Sequence, residues 1–153
     1  MEDLIGDKKF HQLLKEHCYG ILRHLIDRGI NFSIICKIDC VKFEPQLPKE
    51  ISSTFGELTV FILAGYTFES LELDENNLYF EAGFGKENIG SFVSVPLESI
   101  VQVVLSNENV HSDFCVYINL LASFIQKEEK NEDGISSSMK ALLSNPKNQK
   151  FKK

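Results

Sequence analysis

The stretch Asn31-Phe32-Ser33-Ile34-Ile35-Cys36-Lys37-Ile38 is where this sequence changes its period. Upstream, Phe10, Leu13, Leu14, His17, Cys18, Ile21, Leu22, Leu25 and Ile26 recur at spacings of three and four, the mark of an amphipathic helix over about residues 8–28. Gly29 follows, where a left-handed residue can close the last turn. From Ile30 the residues become β-branched and aromatic and the period falls to two, which predicts a strand. The apolar stripe of the helix is too broad for a solvated surface. It predicts packing against a sheet or barrel, or against a second copy of the chain.

Strand patterns continue downstream. Cys40-Val41-Lys42-Phe43-Glu44 alternates, and Pro45 and Pro48 then break the ladder. Leu58 to Leu63 is a continuous apolar run, as in a buried strand. Tyr66 to Leu71 suits a short helical or irregular turn, and Leu71-Glu72-Leu73 leads to the turn signal Asp74-Glu75-Asn76-Asn77. Leu78 to Phe84 and Ser91 to Pro96 are predicted strands around a loop from Gly85 to Gly90. A helical turn at Pro96–Ile100, a strand from Val101 to Leu105 and a last strand within Asp113–Leu121 complete the pattern. Many short strands behind one helix, with no crossover long enough for parallel pairing, predict a mainly β chain bent into an antiparallel barrel.

The 153 residues fit one domain with a tail. Residues 1–125 carry 9 Lys and Arg against 18 Asp and Glu, a net −9; residues 126–153 carry 7 Lys against 4 acids, a net +3. The segment Gln126 to Ser138 is charged and lacks an apolar face, which predicts a disordered linker ahead of a basic end, Lys147 to Lys153. No apolar run reaches the 18 or so residues that cross a bilayer, and Met1-Glu2-Asp3-Leu4 is unlike a signal peptide, so a cytoplasmic protein is expected. An acidic body without a basic stripe argues against nucleic acid as the main partner.

Catalytic and metal chemistry find no support. Cys18, Cys36, Cys40 and Cys115 include one close pair and no second, whereas a structural zinc needs four ligands. Reduced thiols packed as small apolar groups fit better, with Cys36 and Cys40 on one face of a strand. His17 and His24 lack the third ligand that even an open metal site requires. Gly83-Phe84-Gly85-Lys86 does not have the spacing of a phosphate loop and is followed by a strand, and no G-x-S-x-G elbow occurs. Neither an enzyme nor a cofactor is expected.

Four motifs stand in order between Thr59 and Leu97: Thr59-Val60-Phe61-Ile62-Leu63-Ala64, Leu71-Glu72-Leu73, Phe80-Glu81-Ala82-Gly83-Phe84-Gly85 and Val93-Ser94-Val95-Pro96-Leu97. In this order and spacing they resemble the stringent starvation protein B (SspB) family, bacterial adaptors that deliver ssrA-tagged polypeptides to the ClpXP protease. Asn107-Glu108-Asn109, the helix and the strand at Val41 to Pro45 extend the likeness to about two-thirds of the chain. The resemblance implies an Sm-like half-open β-barrel behind an N-terminal helix in residues 1–125, usually paired as a homodimer. It implies a groove for an extended peptide along Leu63, Ala64, Gly65, Thr67, Phe68, Ala82, Gly83 and Phe84. It further implies that residues 126–153 form a flexible tail whose end, Lys150, Phe151, Lys152 and Lys153, docks on the ClpX N-terminal domain. Such a tether works by effective concentration.

Two departures bear on the ligand. Gly83 replaces the family's arginine and Ile62 its asparagine, and the acidic body repels an acidic tag. The competing expectations are an Sm-like barrel that binds RNA and a general interaction module without tag specificity.

Overall fold

The computed structural model describes residues 2–107 and 112–124. A one-turn helix α1 (Glu2–Ile5) precedes α2 (Lys8–Asp27), which starts where the period-3.6 pattern starts. Asp7 caps it: Oδ1 accepts from the amides of Lys9 and Phe10 at 3.0 and 3.1 Å, satisfying donors that have no partner inside the helix. Gly29, at φ +67°, ends it. The Gly29 amide donates to Ile26 O and the Ile30 amide to Leu25 O, a pairing that only a left-handed residue at this position allows without a Cβ penalty.

The strands are β1 (Phe32–Lys37), β2 (Lys42–Glu44), β3 (Leu58–Leu63), β4 (Glu72–Leu73), β5 (Asn77–Phe84), β6 (Ile89–Pro96), β7 (Ile100–Asn107) and β8 (Ser112–Ile118). Short helices α3 (Lys49–Ser52) and α4 (Gly65–Glu69) flank β3, and 3-10 turns occupy Ile38–Cys40, Leu97–Ser99 and Leu120–Phe124. All pairing is antiparallel. One sheet runs β3-β1-β7-β8 and the other β2-β6-β5-β4. β1 pairs with β7 and β2 with β6, so each of two long strands bends at a 3-10 turn and passes from one sheet to the other beside its partner. These corners make the two sheets a half-open barrel, mainly β behind an N-terminal helix, in agreement with the sequence pattern.

The core lies between the sheets. Ile34, Cys36, Phe61, Leu63 and Val103 face Leu78, Phe80, Val93 and Val95, and Cys18, Leu22 and Leu25 of α2 belong to the same cluster. The helix stripe is therefore spent largely on the chain's own barrel. Phe61 sits at the centre of an aromatic group, with ring centroids 5.5–6.4 Å from Phe43, Phe55, Phe80 and Phe84. Tyr117 of β8 donates its hydroxyl to Leu14 O at 3.2 Å, tying the edge strand to α2.

Two expectations change. Leu58–Leu63 is not buried on both sides: Thr59, Phe61 and Leu63 point inward, whereas Leu58, Val60 and Ile62 are exposed. β3 is an edge strand, paired among the described strands with β1 alone. Cys36 and Cys40 do not share a strand face, because β1 ends at Lys37 and the chain turns the corner through Cys40. Both are buried nonetheless, as is Cys18, whereas Cys115 is exposed. The turn at Asp74 forms as predicted, its Oδ1 accepting from the Asn76 and Asn77 amides at 2.8 Å each. The tail, residues 126–153 with Lys150, Phe151, Lys152 and Lys153, lies outside the described residues, as do Glu108 and Asn109.

Candidate peptide site

Strand alternation decides what the second sheet shows to solvent. On β5, Leu78 and Phe80 point inward, so Tyr79, Glu81 and Gly83 point out. The register sets Glu81 opposite Phe92, and Phe92 opposite Glu44 on the next strand, giving one cross-strand row Glu81–Phe92–Glu44. Two residues further along β5, Gly83 faces Gly90. This paired-glycine row has no side chains of its own. The result is an open dimple of about 440 Å³ lined by Glu44, Tyr66, Glu81, Ala82, Gly83, Asn88, Gly90, Ser91 and Phe92.

Its walls are held from several directions. α4 places Tyr66 over the sheet, where the phenol donates to Glu81 Oε2 at 2.5 Å. That hydrogen bond, with the nearby carboxylate charge, raises the Tyr66 phenol above its ordinary value. Ser70, which closes α4, accepts from the Glu81 amide at 2.9 Å and donates to Thr67 O at 2.7 Å, fixing the helix to β5. Ser91 donates to Pro45 O at 2.9 Å and holds the end of β2 beside β6. Phe92 stacks on Tyr79 with ring centroids 5.9 Å apart.

Asn88 forms the far wall. It adopts φ +52° in the hairpin turn, its amide donating to Gly85 O at 3.1 Å, and its carboxamide lies directly on Gly83. A Cβ at residue 83 would fall 1.7 Å from Asn88 Oδ1. A side chain at residue 83 would displace the Asn88 carboxamide, the end of an exposed side chain that fills this space when residue 83 is glycine.

The predicted site residues divide. Ala82 and Gly83 line the dimple, and Ala64, Gly65 and Thr67 stand at the start of α4 beside the Tyr66 that reaches it. Leu63 is fully buried, Phe68 packs edge-on against Phe32 at 6.3 Å, and Phe84 belongs to the aromatic core with Phe43, Phe55 and Phe61. These three pack in or against the core and do not line the dimple, because each points to the inner side of its element. Glu44, Tyr66, Glu81, Asn88, Gly90 and Phe92 join the site without being singled out by the sequence. Tyr66 and Glu81 adjoin predicted residues; Glu44, Asn88 and Phe92 are brought in only by register and by the turn.

A second concavity, about 420 Å³, lies between α2 and β8 and is lined by Glu16, His17, Gly20, Ile21, His24, Leu25 and Val116. Neither histidine has two acidic or thiol neighbours that would complete a metal set among the described residues. No described helix is long and apolar enough to cross a membrane. No protein-family model matches the sequence, and no curated protein matches it.

Proposed function

We propose that this chain is a proteolytic adaptor of the SspB kind, which captures ssrA-type C-terminal peptide tags on the second sheet and delivers them to ClpXP. It acts in the cytoplasm as a homodimer, and its basic C-terminal end, Lys150 to Lys153, docks on the ClpX N-terminal domain. The observation that supports this reading best is the paired-glycine dimple. It coincides with Ala82 and Gly83, where the family resemblance puts the peptide. Small residues there let an extended backbone approach the sheet, and Asn88 offers an amide donor and acceptor to it. The site lacks the convergent nucleophile, base and oxyanion donors of an enzyme pocket. Its carboxylates disfavour the RNA phosphates that an alternative Sm-like role would require.

Gly90→Trp tests the site. A Cβ at Gly90 meets nothing within 4 Å, so the indole fills the dimple without disturbing the sheet. Anisotropy of a labelled ssrA-type peptide should show binding to the natural chain and none to the variant, at equal melting temperatures. Equal binding by both would remove the site assignment. Deleting residues 147–153 should leave peptide binding intact and abolish stimulation of ClpXP degradation; unchanged degradation would remove the delivery step.

A further inference from the structure

The dimple carries a charge preference that its position alone does not. Glu44 and Glu81 stand on either side of Phe92 in one cross-strand row, two strand spacings or about 10 Å apart. Glu44 makes no ion pair among the described residues, and Tyr66 engages only Oε2 of Glu81. No lysine or arginine lines the cavity. The nearest cation in the register, Lys42, lies one row away opposite Ser94. Between the carboxylates, the Phe92 ring offers an apolar face, fixed in orientation by its stack on Tyr79. The Gly83–Gly90 floor beside it leaves depth for a long side chain.

We infer that the dimple reads a basic side chain, a lysine or arginine, within the extended peptide it holds. This rests on the peptide-capture reading above. An alkyl stem lies over Phe92, as amphipathic cations do on apolar surface, and the charged head reaches Glu44 or Oε1 of Glu81. An acidic residue at that one position meets two carboxylates and is disfavoured, so a captured tag seats a basic or neutral residue there and carries its acidic residues elsewhere along its length. The loss of the family's arginine at residue 83 then has a counterpart. The site has exchanged a cation that would face an acidic tag for a wall, Asn88, and two anions that face a basic one.

Three fluorescein-labelled ten-residue peptides decide it, identical alanine, asparagine and leucine sequences with two lysines, two glutamines or two glutamates at the same central positions. The lysine peptide should bind most tightly, about threefold to fivefold better than the glutamine peptide, with the glutamate peptide weakest. Raising the salt should erode the lysine advantage and leave glutamine binding nearly constant. Glu44→Gln and Glu81→Gln, both at exposed positions, should each reduce the ratio of lysine-peptide to glutamate-peptide affinity, and together bring it close to one, whatever they do to affinity overall. Equal or tighter binding of the glutamate peptide would overturn the charge inference and leave peptide capture standing. Binding of none of the three, with Gly90→Trp indistinguishable from the natural chain, would overturn both.

Discussion

The two sheets share one core and differ entirely in what they show outside. The outer side of the first sheet is aliphatic: Val60 and Ile62 on β3 are 55% and 72% exposed, and Ile118 on β8 is also open. The register lays them in rows, Ile62–Ser33–Val104–Cys115 and Val60–Ile35–Gln102–Ile118. The outer side of the second sheet is charged and hydroxylated, with Lys42, Ser94, Tyr79 and Glu72 in one row and Glu44, Phe92 and Glu81 in the next. A face on which exposed aliphatic side chains outnumber the polar ones, Ser33 and Gln102, gains by leaving water and suits a lasting contact. A face of carboxylates, aromatic rings and bare backbone suits a contact that forms and releases. One barrel thus carries two outer faces of different chemistry.

The most severe break of this comparison separates neighbouring residues. Phe61→Ala empties the centre of the aromatic group and should cost about 3–5 kcal/mol, whereas Ile62→Ala, one residue on, should change the stability of the single chain by no more than about 0.5 kcal/mol. Urea unfolding at low protein concentration measures both. Similar losses at the two positions would mean that β3 does not alternate as described.

Thiol chemistry comes next. Burial pushes the thiols of Cys18 and Cys36 up to about 12, so at pH 8 almost none of either is thiolate. Cys115 is exposed on the first sheet's outer row. Ellman's reagent should modify one cysteine rapidly, on the order of a hundredfold faster than Cys18 or Cys36, and Cys115→Ser should remove that fast phase. If the aliphatic face is where two copies meet, the fast phase should slow as protein concentration rises.

Association is a smaller effect. Light scattering should give a dimer mass at micromolar concentration, and Ile62→Lys should weaken the dimer by about tenfold or more, the scale of losing one well-packed apolar anchor. Leu13→Lys, on α2, should leave it unchanged, because the helix has already given Cys18, Leu22 and Leu25 to the barrel. The opposite pattern would return the contact to the helix.

The smallest effect is on the second sheet. Tyr79 donates to Asp74 Oδ2 at 2.7 Å, and this bond, with the turn amides, holds the Asp74 carboxyl below its ordinary value. A group whose pKa is lower in the folded chain adds stability above its unfolded pKa, near 4, and loses it as pH falls through the folded value. Asp74 is exposed, so the contribution is slight. Asp74→Asn should lower the melting temperature by a degree or two at pH 6, and the difference should vanish toward pH 2.

Much of this architecture is legible in the amino-acid sequence alone. The helix from Phe10 to Ile26 declares itself because a stripe repeats along a single element, and Gly29 ends it for a reason local to one residue. The Asp74 turn is likewise local. The alternation of β3 is concealed because its outward residues, Leu58, Val60 and Ile62, are as apolar as its inward ones, so period carries no information. The corner at Ile38–Cys40 reads as strand because β-branched and small apolar residues suit both. The candidate site is legible only in part. Ala82 and Gly83 lie in one motif, but Glu44 and Glu81 are 37 positions apart and meet across Phe92 through two registers. The contact of Asn88 with Gly83 depends on a positive φ in the turn, which the residue type permits and does not announce.

The corners have a mechanical consequence. Described chain leaves the barrel through β8, an edge strand paired with β7 and tied to α2 by Tyr117, and then through the turn Leu120–Phe124, fastened by Lys37 Nζ donating to Ser123 O at 3.0 Å. A pull transmitted from beyond residue 124 loads that fastening first and then the β7–β8 ladder from its Gln102–Ile118 end, one rung after another, as a zip opens. The bent strands β1–β2 and β6–β7 each anchor in both sheets. The dimple at Gly83 and Gly90 lies on the other sheet, away from this fastening, so a chain towed by its C-terminal end would keep its grip while its edge was being peeled.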